Sequence, residues 1–251
     1  MTDTADPVET YRMSILDHLR ELRTRLVIAM WACLVCVVVA FFFSEQLYDW
    51  ISAPMVAALV ERGEGTMAIT DPLEGVFTYL QVSVIAGLFA ASPVVFSQIW
   101  LFVAPGLYAS ERKVVLPLVI SSTVLLLSGG AFCYYVMFGY GFKFLLDVVG
   151  TDTAAVLSMS AYLSMAIKFL LAFGLSFQLP VVVWFFARMG LVDGRDMINY
   201  ARHAVVAIFV ISAVLTPTTD PVTQLIMAVP LMVLYLIGAG VAALTSTKKR
   251  G

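Results

Sequence analysis

The stretch QIWLFVAPGLYASER, residues 98–112, decides the fold. It is a short polar turn between two long apolar runs, and it ends with an acid, Glu111, beside two bases, Arg112 and Lys113. With apolar spans on both sides, the turn has to sit at a membrane face. A carboxylate there is wet enough to ionise and close enough to lipid to feel weak screening, which makes it a docking point for a cationic partner. The rest of the chain reads outward from it as a scaffold.

The composition agrees. Of 251 residues, 61% are hydrophobic and 13% charged, against about 45–50% apolar and about 25% charged in soluble domains. An integral membrane protein is expected, organised as one polytopic domain over residues 1–251. The bases form no stripe, so nucleic acid is not an expected partner; the partner that composition implies is the lipid bilayer. Cys33, Cys36 and Cys133 all lie within apolar runs. The C-x-x-C of the first two has no nearby His or acid and reads as packing rather than metal or redox chemistry. The polar, acidic start MTDTADPVET lacks a cleavable leader pattern, so the first span is expected to insert as a signal anchor.

Residues 1–13 read as a solvated tail. Ser14 and Asp17 form a capping box, and Ile15, Leu19, Leu22 and Leu26 make an apolar stripe at helical spacing. Arg20, Glu21, Arg23 and Arg25 fill the remaining positions, so 14–26 is an amphipathic collar leading into the membrane. Spans are expected at about 27–43, 76–102, 114–138, 161–187, 203–215 and 222–244. Residues 45–61 between the first two suit one or two interfacial helices, with Tyr48 and Trp50 at headgroup level. Pro93, Pro117, Pro180 and Pro230 fall inside spans and are expected to kink them. The fifth run holds only about thirteen strongly apolar residues, roughly 20 Å against a core of about 30 Å. The sixth must turn back from the same depth. An all-α bundle of six spans follows, with several kinks, short fifth and sixth helices, and a concave, glove-like outline.

Orientation comes from the bases. One face collects the N-terminal region, the turn at 104–113, the loop at 188–202 and the C-terminal tail, and with them twelve of the fifteen Lys and Arg. Only Arg62 and Lys143 fall in the opposite loops, and Lys168 lies within a span. The positive-inside rule then puts both termini in the cytoplasm.

Catalytic patterns are missing. There is no phosphate-binding glycine loop and no nucleophile elbow, and His18 and His203 have no Cys or Asp at a useful spacing. No cofactor or metal is expected and no enzyme activity is read. The charges left over are Glu21, Glu111, Lys168 and Asp220. Glu21 has a local reading as an i,i+4 partner of Arg25, worth about 0.2–0.5 kcal/mol. Glu111 has one as dipole compensation behind a Ser110 cap, about 0.3–1 kcal/mol. Lys168, about 10 Å into the fourth span, either reaches Asp220 at the tip of spans five and six or snorkels to lipid phosphate. A secondary transporter that lines a solute path with Lys168, Gln178 and Asp220 is the competing functional class.

The turn QIWLFVAPGLYASER, the collar HLRELRTRL, Ser52–Pro54 and the YLS…FGLSFQLP run resemble the TatC family, the core receptor of the twin-arginine protein translocase. The likeness covers roughly 16–240. It implies a receptor that binds twin-arginine signal peptides at the cytoplasmic face of a bacterial inner membrane. Export of folded proteins would then be driven by the proton-motive force, with TatA-like and TatB-like single-span partners and self-association. By the same resemblance Glu21 and Glu111 receive the arginines, Phe102 is the loop aromatic and Arg23 the collar base. Gln98 belongs to the matching turn, Pro54 is the far-loop proline, and Asp220 the acid at the tip of spans five and six. The chain departs from the family pattern at Ala109, where a base is common, and at Gln178, which is often Glu. Lys168 is an additional base that the family does not explain.

Overall fold

The computed structural model describes residues 15–63, 67–68, 71–103, 115–149, 158–215 and 221–245, and all regular elements among them are helical. In chain order they are α1 Ile15–Phe41, α2 Ser44–Glu61, α3 Glu74–Val103, α4 Val115–Phe132, α5 Gly139–Val149, α6 Met159–Ser176, α7 Leu179–Arg188, α8 Gly194–Asn199, α9 Ala201–Leu215 and α10 Pro221–Thr245. A π-helix, Cys133–Phe138, carries α4 into α5 without a break.

Among the described residues, five segments are long and apolar enough to cross a membrane: Leu16–Phe41, Glu74–Val103, Val115–Phe144, Met159–Arg188 and Gln224–Thr245. Helix α9 is the short sixth member, 15 residues or about 22 Å. The shortness belongs to α9, since α10 has 25 residues. The last turns of α10 are spent against α8: a Cβ on Gly194 would lie 2.5 Å from that of Ala243, and Tyr235 donates its hydroxyl to the Met197 carbonyl at 2.6 Å.

Between lipid-facing helices there is no hydrophobic drive, so close backbone contact has to hold them together. Glycine supplies it at two crossings. A Cβ on Gly87 would sit 2.7 Å from Val37 Cα, so α1 and α3 touch backbone to backbone. One on Gly129 would sit 2.7 Å from the Phe173 carbonyl oxygen, which fixes α4 on α6.

The largest core lies at the end of the bundle away from the collar. Residues 44–61 form one helix, not two, and bury Tyr48, Ile51, Met55 and Leu59 at spacings of three and four. That face joins one buried cluster with Phe138, Phe142 and Tyr162. Burial, followed by the nearby Tyr79, Asp49 and Glu74, pushes the Tyr48 phenol up to about 12, so it stays a hydrogen-bond donor. A second cluster, Trp100, Leu118, Val181 and Phe185, fills the collar half, and Ile208, Ala228 and Leu231 join α9 to α10.

Two of the span prolines behave differently for a visible reason. Pro93 removes the N–H that would bond the Phe89 carbonyl, but the Ser92 hydroxyl donates to that carbonyl at 2.7 Å. Helix α3 runs on through it. Pro180 follows a turn at Phe177 and Gln178 and starts a new helix, α7, at its first turn, where a missing N–H costs nothing.

Candidate functional site

His18, Glu21 and Arg25 are three and four residues apart, so they share one face of α1. Packing of α1 along α3 brings that face to the last turn of α3. There the His18 ring stacks on Phe102, with centroids 4.4 Å apart and planes 20° from parallel. On the adjacent turn Arg25 holds Glu21 through a single oxygen: Nε is 2.9 Å and Nη2 2.5 Å from Oε1. The two side chains are only 23% and 20% exposed. The other oxygen, Oε2, is buried and accepts no hydrogen bond among the described residues. Leaving a buried acceptor unpaired costs about 1–3 kcal/mol, so a donor arriving at Oε2 would recover that penalty.

Arg23 is exposed on α1 and makes no ion pair among the described residues. Gln98 is half-buried and donates its amide to Ser97 Oγ at 3.0 Å. Gln178 does bond across helices, Nε2 donating to the Ser122 carbonyl at 3.0 Å. The hydroxyl of the same Ser122 accepts from Trp100 Nε1 at 2.9 Å. One buried serine thus ties α3, α4 and the α6–α7 break together; neither it nor Trp100 was singled out from sequence. Lys168 is exposed on α6 and makes no ion pair among the described residues. Glu111 and Asp220 lie outside the described residues, as do Ser14 and Ala109.

At the far end, Pro54 sits inside α2. It removes the N–H that would serve the Trp50 carbonyl. That carbonyl and its neighbour are taken by tyrosines from other elements: Tyr134 donates to Trp50 O at 2.7 Å, and Tyr162 to Ile51 O at 2.7 Å. Glu74 is 5% exposed. Its carboxylate accepts from Asp71 N at 3.2 Å, from Ser160 N at 2.7 Å and from the Ser158 hydroxyl. It therefore ties the start of α3 to the start of α6, beside the Ala68–Ser158 bridge.

Residues 17–230 match the family model described as TatC, Sec-independent protein translocase protein. The Sec-independent protein translocase protein TatC of Desulforapulum autotrophicum is 44% identical over 237 residues, 93% of this chain and 86% of the relative. The protein of that name from Magnetococcus marinus is 40% identical over 223 residues, 89% of this chain and 81% of the relative. Among solved structures, a crystal structure titled twin arginine translocase receptor TatC superposes with a TM-score of 0.81 at 32% identity. It covers 91% of this chain and 99% of that one. The chain therefore belongs to the TatC family, and it is a multi-pass membrane component of the Sec-independent protein translocase.

Proposed function

We propose that this chain is the signal-peptide receptor of its translocase, and that the collar end of α1 and α3 is where a twin-arginine signal peptide docks. The observation that supports the reading best is Glu21, whose Oε2 is enclosed and without a hydrogen-bond donor among the described residues, one turn from the His18–Phe102 stack. A guanidinium offers a planar fork of donors that suits a carboxylate, and its flat face suits an aromatic neighbour. Two consecutive arginines ask for two carboxylates, and Glu111, in the loop that leaves α3 just past Phe102, is the second. Arg23 faces water beside them and steers the peptide backbone or the lipid phosphates. This face lies in the cytoplasm, with both termini, in the inner membrane of a bacterium. TatA-like and TatB-like single-span proteins and further copies of the chain complete the machine, and the proton-motive force drives folded cargo across.

Glu21→Gln and Glu111→Gln test the reading. Each should weaken photocrosslinking to a twin-arginine signal peptide while leaving the amount of membrane-inserted protein unchanged. A lost charge-assisted contact costs about 1.5–3 kcal/mol in a dry site and less at a wet interface. Crosslinking and export at the wild-type level in the double variant would overturn the reading.

A further inference from the structure

The way Arg25 holds Glu21 is unusual for an i,i+4 pair. A guanidinium facing a carboxylate commonly spreads two N–H groups over both oxygens. Here Nε and Nη2 converge on Oε1, and Oε2 is left enclosed with no donor among the described residues. Both side chains are mostly buried, so water does not dissolve the pair as it does on an open helix surface. The result is a carboxylate that is already neutralised yet has one oxygen still to be satisfied.

We propose that Arg25 is a specificity-determining positioning residue, which holds Oε1 and leaves Oε2 as an acceptor that favours a guanidinium over an ammonium. The inference rests on the receptor reading of Glu21 given above. A bare carboxylate attracts any cation, because Coulomb attraction does not depend on the shape of the partner. The Arg25–Glu21 pair has no net charge, and the guanidinium of Arg25 repels a second cation. What remains is short-range, directed hydrogen bonding into an enclosed spot. A lysine ammonium is compact and strongly hydrated, and loses that water without the full Coulomb return. A guanidinium is weakly hydrated and flat, keeps donors for other acceptors while one N–H serves Oε2, and can lie against the aromatic surface that His18 and Phe102 provide. The collar thus trades some affinity for selectivity, because Arg25 competes with the ligand for the same acid.

Full-length protein in lipid nanodiscs is titrated with a labelled signal peptide that carries either the arginine pair or a lysine pair. In Arg25→Gln the arginine peptide should bind roughly three- to tenfold tighter, the size of one relieved charge contact at a partly wet site. The lysine peptide should gain more, so that the ratio of the two affinities falls at least about threefold. Arg25→Lys keeps the charge and should return the arginine affinity towards wild type. It also shows whether loss of the charge alone has unfolded the collar. Unchanged or weaker arginine binding in Arg25→Gln with the ratio intact, while Glu21→Gln still weakens binding, overturns the role of Arg25 and leaves the receptor reading standing. If Glu21→Gln alters neither peptide, the receptor reading itself fails and this inference fails with it.

Discussion

Glu21 and Glu74 are both partly or wholly buried carboxylates at helix ends, and they do opposite things. Glu74 is fully engaged: two backbone N–H groups and a serine hydroxyl converge on it from two elements. A carboxylate satisfied in this way is a structural tie. Glu21 is half engaged, with Oε1 held by Arg25 and Oε2 without a donor among the described residues, and the proposed receptor role rests on that difference. The difference sets a prediction. Glu74→Gln keeps the size of the side chain but exchanges charge-assisted bonds, worth about 1.5–3 kcal/mol when directed at an ion, for neutral ones worth about 1 kcal/mol. Thermal melting in detergent should drop, while signal-peptide binding at the opposite end should hold. A melting midpoint equal to wild type would show that the tie contributes nothing. The pair Glu21–Arg25 was readable in the sequence because its partners are one helical turn apart. Glu74 was not: Ser158 and Ser160 stand 84 and 86 positions away, and no local spacing reports a partner that only the packing of α3 on α6 supplies.

At the scale of elements, prolines are the clearest case of sequence meeting tertiary structure. Four kinks were expected from Pro93, Pro117, Pro180 and Pro230, and the helical hydrogen-bond pattern of α3 and α10 resumes past Pro93 and Pro230 without a new helix start. Pro117 lies in the first turn of α4, where proline is tolerated. What decides the outcome at Pro93 is a neighbouring hydroxyl that serves the orphaned carbonyl. At Pro54 the same need is met from outside the helix, by Tyr134 from the π-helix. The proline thereby frees the Trp50 carbonyl for Tyr134, and that bond, with the one from Tyr162 of α6 to Ile51, fastens α2 to the rest of the far-end core. This gives a coupled prediction. Tyr134→Phe alone should leave the part-buried Trp50 O without its donor and cost about 0.5–1.5 kcal/mol. In a Pro54→Ala background the backbone N–H of residue 54 returns to that carbonyl, so the same Tyr134→Phe change should cost far less. A double-mutant cycle by thermal melting should give a coupling of about 1 kcal/mol, and a coupling near zero would disconnect the two residues. The π-helix that aims Tyr134 left no signal in the sequence. CYYVMF is as apolar as its flanks, and the extra residue per turn is chosen by packing against α2 and α6. The short α9 did leave a signal, because the length of an apolar run is a local property and sets how far a helix can reach through lipid.

Over the whole molecule, two kinds of force hold the two halves. Within the bilayer region, helices meet through glycine crossings such as Gly87 on Val37 and Gly129 on Phe173, because lipid offers no reward for hiding apolar surface. At the far end, α2 lies on a core of Phe138, Phe142 and Tyr162, as a water-facing domain would. Among the described residues the collar end has no such cap and presents charge instead: Arg20 and Arg23 on α1, Arg188 at the end of α7 and Arg195 on α8. This asymmetry, together with the twelve bases that the sequence assigns to one face, supports the proposed orientation with the collar in the cytoplasm. Cysteine accessibility tests it directly. Cys33, Cys36 and Cys133 are half-buried or buried and would first be replaced by serine or alanine. Single cysteines at Ala109 and Asp193, on the basic face, should then stay unlabelled by an impermeant thiol reagent added to intact cells. A cysteine at Gly65, in the loop beyond α2, should react within the same exposure, and permeabilising the cells should open the first two to the reagent. Labelling of Ala109→Cys or Asp193→Cys from outside would reverse the orientation. It would also move the Glu21 face to the side where precursor proteins do not arrive, so the same measurement bears on the receptor reading from a direction that binding assays do not reach.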